Sequence, residues 1–162
     1  MNELKYFDNA ATTYPKPPAV VAAVVDAIKY KGGNPGRGSH ALSEAAAELV
    51  YDTRETAARF FDAEPENIVF TENATHALNY AIKGLARRGY TILIDNYAHN
   101  ASYRPCVALS DKGFCTLRVY DASGNDGETL GNIKKLIVPH RTIIIATHQS
   151  NISSKILPIE KI

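Results

Sequence analysis

Side chains suited to binding or proton transfer are gathered in a few short polar segments. Thr71-Glu72-Asn73-Ala74-Thr75-His76 stands between an apolar triplet and a helix-forming run. A strand turning into a helix there would leave the N–H groups of Ala74, Thr75 and His76 free at the crevice beyond the strand end. The helix dipole and the Thr75 hydroxyl would then favour an anion such as a phosphate. The same residues also read as a threonine that merely caps its helix. His99, set among Tyr97, Asn100 and Ser102, could stack on an aromatic ligand or move protons near neutral pH, and it could equally be a solvated loop histidine. Asn151, in Thr147-His148-Gln149-Ser150-Asn151, could hydrogen-bond the polar edge of a planar ligand or serve as a turn residue. Arg37 has the planar fork that clamps a carboxylate, and it sits in a loop where an exposed arginine is also ordinary.

Other chemistries find little support. His140 and His148 flank a candidate strand without a carboxylate at ligand spacing, so a structural reading is preferred to a metal site. Cys106 and Cys115 form no CxxC pair and read as reduced structural thiols. The chain contains neither GxGxxG nor GxxxxGK[ST], so a phosphate at residues 74–76 would belong to something other than a dinucleotide or a P-loop nucleotide.

Several elements must position these residues. Residues 6–18, small and polar and then proline-rich, form an irregular arm. Val20, Val21, Val24, Val25 and Ile28 recur at helical steps over 19–30, between prolines suited to a first turn and Gly32-Gly33. Gly33-Asn34-Pro35-Gly36-Arg37-Gly38-Ser39-His40 is a loop whose glycines let the backbone approach something closely. A long amphipathic helix follows to about Phe61, with Ala45, Ala46, Leu49, Val50 and Phe60 on one face and Glu44, Glu48, Asp52 and Arg59 on the other. Beyond it, apolar runs at 68–70, 90–94, 114–119 and 142–146 alternate with helical patterns near 74–87, 101–110 and 129–137. That alternation predicts βαβ units and a parallel sheet covered on both faces. Ligands of such sheets sit beyond the carboxyl ends of the strands, which directs attention to 71–76, 96–100, 121–127 and 147–154.

The chain has 162 residues, 45% of them hydrophobic and 22% charged, which suits one domain with a real core. With 18 Lys plus Arg against 17 Asp plus Glu, the balance is +1, and nothing in it would recruit nucleic acid or an anionic membrane. No apolar run approaches a membrane span and the first residues do not read as a signal peptide, so a cytoplasmic protein is expected.

Taken in order, Tyr6-Phe7-Asp8-Asn9-Ala10-Ala11-Thr12-Thr13, the glycine loop with Ala41-Leu42-Ser43, Val69-Phe70-Thr71 with Ala74-Thr75-His76, the pair His99-Asn100, and residues 147–151 resemble the class V aminotransferase family. These are pyridoxal-phosphate enzymes of fold type I, and the likeness is greatest to the cysteine desulfurase and selenocysteine lyase branch. The resemblance implies a large α/β domain, with N-terminal helices and an incomplete, mostly parallel sheet flanked by helices. It divides the chain into an arm, helix and glycine loop over 1–40 and a partial cofactor-binding α/β domain over 41–162. It also implies that Ala74, Thr75 and His76 hold the cofactor phosphate, and that His99 stacks on the pyridine ring and assists proton transfer. Asn151 is placed beside the ring's phenolic oxygen. Ala10 and Ala11 come near the substrate, and Arg37 and His40 lie in a loop near the partner's active site in a homodimer. L-cysteine or a similar amino acid is the implied substrate.

Four departures from the family pattern qualify these expectations. The family's aspartate facing the ring nitrogen and its Schiff-base lysine come later in the pattern than Ile162, as does the desulfurase's nucleophilic cysteine, which neither Cys106 nor Cys115 matches. Ser154 stands where the family's turn usually has a glycine. The expectation is therefore the N-terminal portion of a cysteine desulfurase-like enzyme, inactive alone. The alternatives are another activity of the same family in the full-length form, or a non-catalytic ligand-binding or interaction remnant.

Overall fold

The computed structural model describes residues 5–162. They fall into two compact units, Met1–Phe70 and Thr71–Ile162.

In the first unit, α1 spans Pro18–Tyr30 and starts on a proline whose missing N–H a first helical turn does not need. Its valines stay about half exposed. The longer α2 spans Ala41–Phe61 and ends where Asp62 enters the left-handed region at φ 51°. His40 caps its start, Nδ1 accepting from the Ser43 N–H at 3.4 Å. The close approach expected of the glycine loop is to this helix, because a Cβ on Gly33 would overlap the Leu42 carbonyl.

The strand expected at 68–70 is not formed. A strand exists only through a partner, and none pairs with this segment among the described residues. The Ile68 carbonyl instead accepts from Arg54 Nε at 3.1 Å, and the Arg54 guanidinium lies over the Phe70 ring at 5.5 Å. An apolar triplet signals burial or contact, and here the contact is with a side chain of α2.

The second unit carries the sheet. Helix α3 (Ala74–Leu85) precedes β1 (Thr91–Asp95), α4 (Asn100–Asp111) precedes β2 (Thr116–Tyr120), and α5 (Asp126–Leu136) precedes β3 (Thr142–Ile145). The strands are parallel in the order β2-β1-β3, with Thr91 opposite both Thr116 and Thr142. The central strand is buried along its length. Its side chains alternate: Ile92 and Ile94 pack with Ile82, Ala86, Cys106 and Cys115, whereas Leu93 packs with Tyr120, Ala122, Ile133 and Leu157. Each face of β1 thus has its own core, as a parallel sheet requires.

The expected elements other than 68–70 are present, with ends displaced by a few residues. Helix α5 starts at Asp126 because Asn125 forms a reciprocal cap: its side chain accepts from Glu128 N at 3.0 Å, and Glu128 Oε2 accepts from Asn125 N at 2.9 Å. Pro105 sits inside α4, where it has no N–H to give to the Ala101 carbonyl one turn earlier. Among the described residues no helix is long and apolar enough to cross a membrane.

Candidate functional site

The candidate residues lie at the start of α3, which follows no strand among the described residues, and in the loops beyond the ends of β1 and β3. Asn73, not Thr75, caps α3, its Oδ1 accepting from His76 N at 2.9 Å. That bond occupies one of the three N–H groups expected to be free, leaving those of Ala74 and Thr75 without a partner among the described residues. The His76 imidazole is engaged as well, with the Glu72 carboxylate and with the Tyr80 ring, whose centroid is 4.5 Å away. Glu72 is held below the usual carboxylate range by its own backbone N–H and then by His76.

His99 opens α4 in the same way that Asn73 opens α3. Its Nδ1 accepts from Ala101 N at 3.1 Å, and its carbonyl accepts from the Ser102 hydroxyl at 2.9 Å. An accepting Nδ1 puts the proton of the neutral ring on Nε2, so Nε2 is the nitrogen left to exchange it. Thr75 and His99 line one cleft of about 520 Å³ between α3 and α4, with Asn100, Lys83 and Arg104. No carboxylate is among its lining residues, so Thr75 at the α3 start and two cations share one anion-favouring space.

Asn151 is exposed in the turn after β3. Ser150 closes that turn, its Oγ accepting from Ile152 N at 3.3 Å and Ser153 N at 3.2 Å. Ser154 takes a left-handed backbone at φ 58°, the conformation that a glycine would adopt without strain.

Asp95, which no sequence motif singled out, ends β1 and is only 1% exposed. Its Oδ1 accepts from Tyr97 N and its Oδ2 from Thr147 N, each at 2.8 Å. The next residue, Asn96, turns to the other side: its Nδ2 donates to Asp121 Oδ1 and its Oδ1 accepts from Ala122 N, both at 3.0 Å. A polar Asp-Asn pair closing an apolar strand is the sequence signal that could have found them.

In the first unit, Ala10 and Ala11 lie in an exposed turn closed by Ala11 N donating to Asp8 O at 3.1 Å. Arg37 is exposed, and its carbonyl accepts from Ser43 Oγ at 3.4 Å. His40 is the α2 cap described above.

A three-stranded parallel sheet with α4 and α5 beginning beyond the ends of β1 and β2, and α3 leading into β1, defines an open α/β fold. The family profile described as "Aminotransferase class-V" matches residues 5–162, and the chain belongs to that family. It is 30% identical over 158 residues to the "Probable cysteine desulfurase" of Methanothermobacter thermautotrophicus, covering 97% of this chain and 39% of that protein. The corresponding Vibrio cholerae protein of the same name is 31% identical, with 99% and 41% covered. Among solved structures, the apo cysteine desulfurase of Thermococcus onnurineus NA1 superposes with a TM-score of 0.82 at 29% identity, covering 99% of this chain and 40% of that one. SspA in complex with cysteine superposes at 0.83 with 27% identity, covering 97% and 46%. The chain therefore spans about two-fifths of the length of these two curated relatives.

Proposed function

We propose that this chain is the N-terminal portion of a cysteine desulfurase-type enzyme and contributes the phosphate and ring-face half of a pyridoxal 5'-phosphate site. The observation that carries the reading is the shared cleft, in which Thr75, at the α3 start whose first two N–H groups have no partner among the described residues, and His99 meet beside two cations and no carboxylate. These residues fit the cofactor: a doubly charged phosphate suits the α3 start, and an aromatic ring suits the exposed face of His99. When bound, the cofactor supplies an electron sink for carbanion chemistry at the amino acid.

This chain's residues do the rest of their half. Ala74 and Thr75 hold the phosphate through N–H groups, with the Thr75 hydroxyl as a further donor. His76 supports that turn through its N–H bond to Asn73 and its contact with Glu72. His99, its Nδ1 committed to the α4 cap, lays its ring on the cofactor and gives or takes a proton at Nε2. Asn151 donates to the ring's phenolic oxygen. Ala10, Ala11, Arg37 and His40 serve the substrate side, with Arg37 offering a fork to the carboxylate of L-cysteine and acting across a homodimer. The relative solved with cysteine supports an amino-acid substrate. Neither nucleic acid nor a membrane is a partner in this reading, which places the protein in the cytoplasm. In the family pattern the cofactor-holding lysine comes later than the part these residues match, and desulfuration needs that lysine as well.

Calorimetric titration of the purified chain with pyridoxal phosphate, pyridoxal and inorganic phosphate tests the reading. Pyridoxal phosphate should bind more tightly than either fragment. Thr75→Ala should weaken it by roughly ten- to a hundredfold, the value of a hydrogen bond to a charged group. Equal affinity for pyridoxal phosphate and pyridoxal would remove α3 from the site, and an unchanged affinity in Thr75→Ala would remove the Thr75 side chain from it.

A further inference from the structure

We infer that Asp95 is a positioning residue, a buried carboxylate that ties the His99 loop to the 147–151 loop so that the two present their side chains as one unit; its link to a ligand rests on the reading above. The end of a central parallel strand does not require an anion, and burying one is costly unless its oxygens are satisfied. Asp95 is 1% exposed, and each of its oxygens takes a backbone N–H from a different loop, Tyr97 on one side and Thr147 on the other.

The spans beyond these anchors are short. His99 lies two residues after Tyr97, and Ala98 N is itself bonded to the Asp95 carbonyl at 3.2 Å. Asn151 lies four residues after Thr147, in a segment fastened by Leu157 N to His148 O at 2.9 Å and by Ser150 Oγ to Ile152 N and Ser153 N. Little slack separates either side chain from the carboxylate. Thr147 follows β3, whose register on β1 ends at Ile145 opposite Ile94, so the sheet ladder stops short of the loop. The Asp95 oxygen supplies the next tie across that gap.

An amide in the same place has one acceptor and one donor. Asp95→Asn therefore sets an NH2 against one of the two N–H groups, releasing one loop while keeping the volume. Asp95→Ala releases both.

Amide hydrogen exchange followed by NMR in the ligand-free chain tests this. Asp95→Asn should raise exchange at least tenfold at Tyr97 or at Thr147, together with the residues that follow it in its loop. The amides of Ile92, Leu93 and Ile94 should keep their rates. Unchanged rates at both Tyr97 and Thr147 would overturn the inference, and so would a rise shared equally by the strand amides, which would make Asp95 a general stabiliser. Asp95→Asn carries this test if Asp95→Ala fails to fold.

A second measurement reads the link to the ligand. Asp95→Asn should bind pyridoxal phosphate at least fivefold more weakly than the parent chain at temperatures below both melting transitions. Loosened loops with unchanged affinity would overturn that link. If the parent chain binds no pyridoxal phosphate, it is the functional reading that fails, and the exchange rates still decide the role of Asp95.

Discussion

The Asn96 side-chain amide donates to Asp121 Oδ1 at 3.0 Å, joining the loops that follow β1 and β2 across 25 residues of sequence. Asn96 Oδ1 simultaneously accepts from Ala122 N, and Asn132 Nδ2 donates to the Asp121 carbonyl at 3.0 Å. With Asp95 tied to Thr147, the last residue of the central strand and the one after it fasten the loops of both neighbouring strands.

Asp121 should make stability depend on acid. The Ser123 hydroxyl, then the Ser123 N–H and the Asn96 amide, hold its carboxyl below the usual range. Because the folded pKa lies below the unfolded one, the contribution is fully present above the unfolded value of about 4 and is lost as pH falls through the folded value. Urea unfolding from pH 3 to 7 should show the parent chain more stable than Asp121→Asn at pH 6. That advantage should shrink as pH drops below about 4.

Asn73 should separate helix capping from anion binding. Asn73→Ala removes the acceptor for His76 N and should cost about 1 kcal/mol in denaturant unfolding. Asn73→Asp keeps the acceptor and suits the helix dipole, so stability should remain within a few tenths of a kcal/mol of the parent. Its added negative charge beside Ala74 and Thr75 should still weaken phosphate binding in the same calorimetric titration.

The thiols should be inert in the folded chain. Burial, and then the proximity of Cys115, pushes Cys106 up to about 11, and burial raises Cys115 despite its contact with the Arg87 carbonyl. At pH 8 neither thiol should react with Ellman's reagent on the scale of minutes, whereas both should react at once in urea. Fast labelling of the native chain would contradict the packing around Ile92 and Ile94.

Ser154→Gly should stabilise the chain. The positive φ at this position strains any side chain, and the Ser154 N–H bond to the Ser150 carbonyl survives the change. After the extra chain entropy of glycine is offset, a gain of about 0.5–1 kcal/mol in thermal or urea unfolding is expected.

Much of this was written in local patterns. The alternation of apolar runs with helical ones marked β1, β2 and β3 and the helices between them, because a buried parallel strand and an amphipathic helix each impose their own period. The likeness of residues 5–162 to the class V aminotransferases was likewise legible in ordered short motifs. Ser154 stood out because it replaces a glycine in such a motif, and its left-handed backbone is the physical content of that departure.

Other features depended on distance in space. The triplet at 68–70 has strand composition, yet a strand requires a partner that local sequence does not name, and Arg54 took the Ile68 carbonyl instead. Both Asn73 and Thr75 have side chains able to cap a helix, and only the backbone path showed that Asn73 does so while Thr75 stays in the cleft. His99 was readable as a ring or a proton carrier, but the commitment of its Nδ1 to Ala101 appeared only with the turn of α4. Asp95 is the clearest case, since its bond to Thr147 spans 52 residues. Sequence alone determined the periodic elements and the polar segments at their ends, because those follow from neighbours along the chain. The tertiary structure decided which donors met which acceptors, because a hydrogen bond between loops exists only once the strands beneath them are paired.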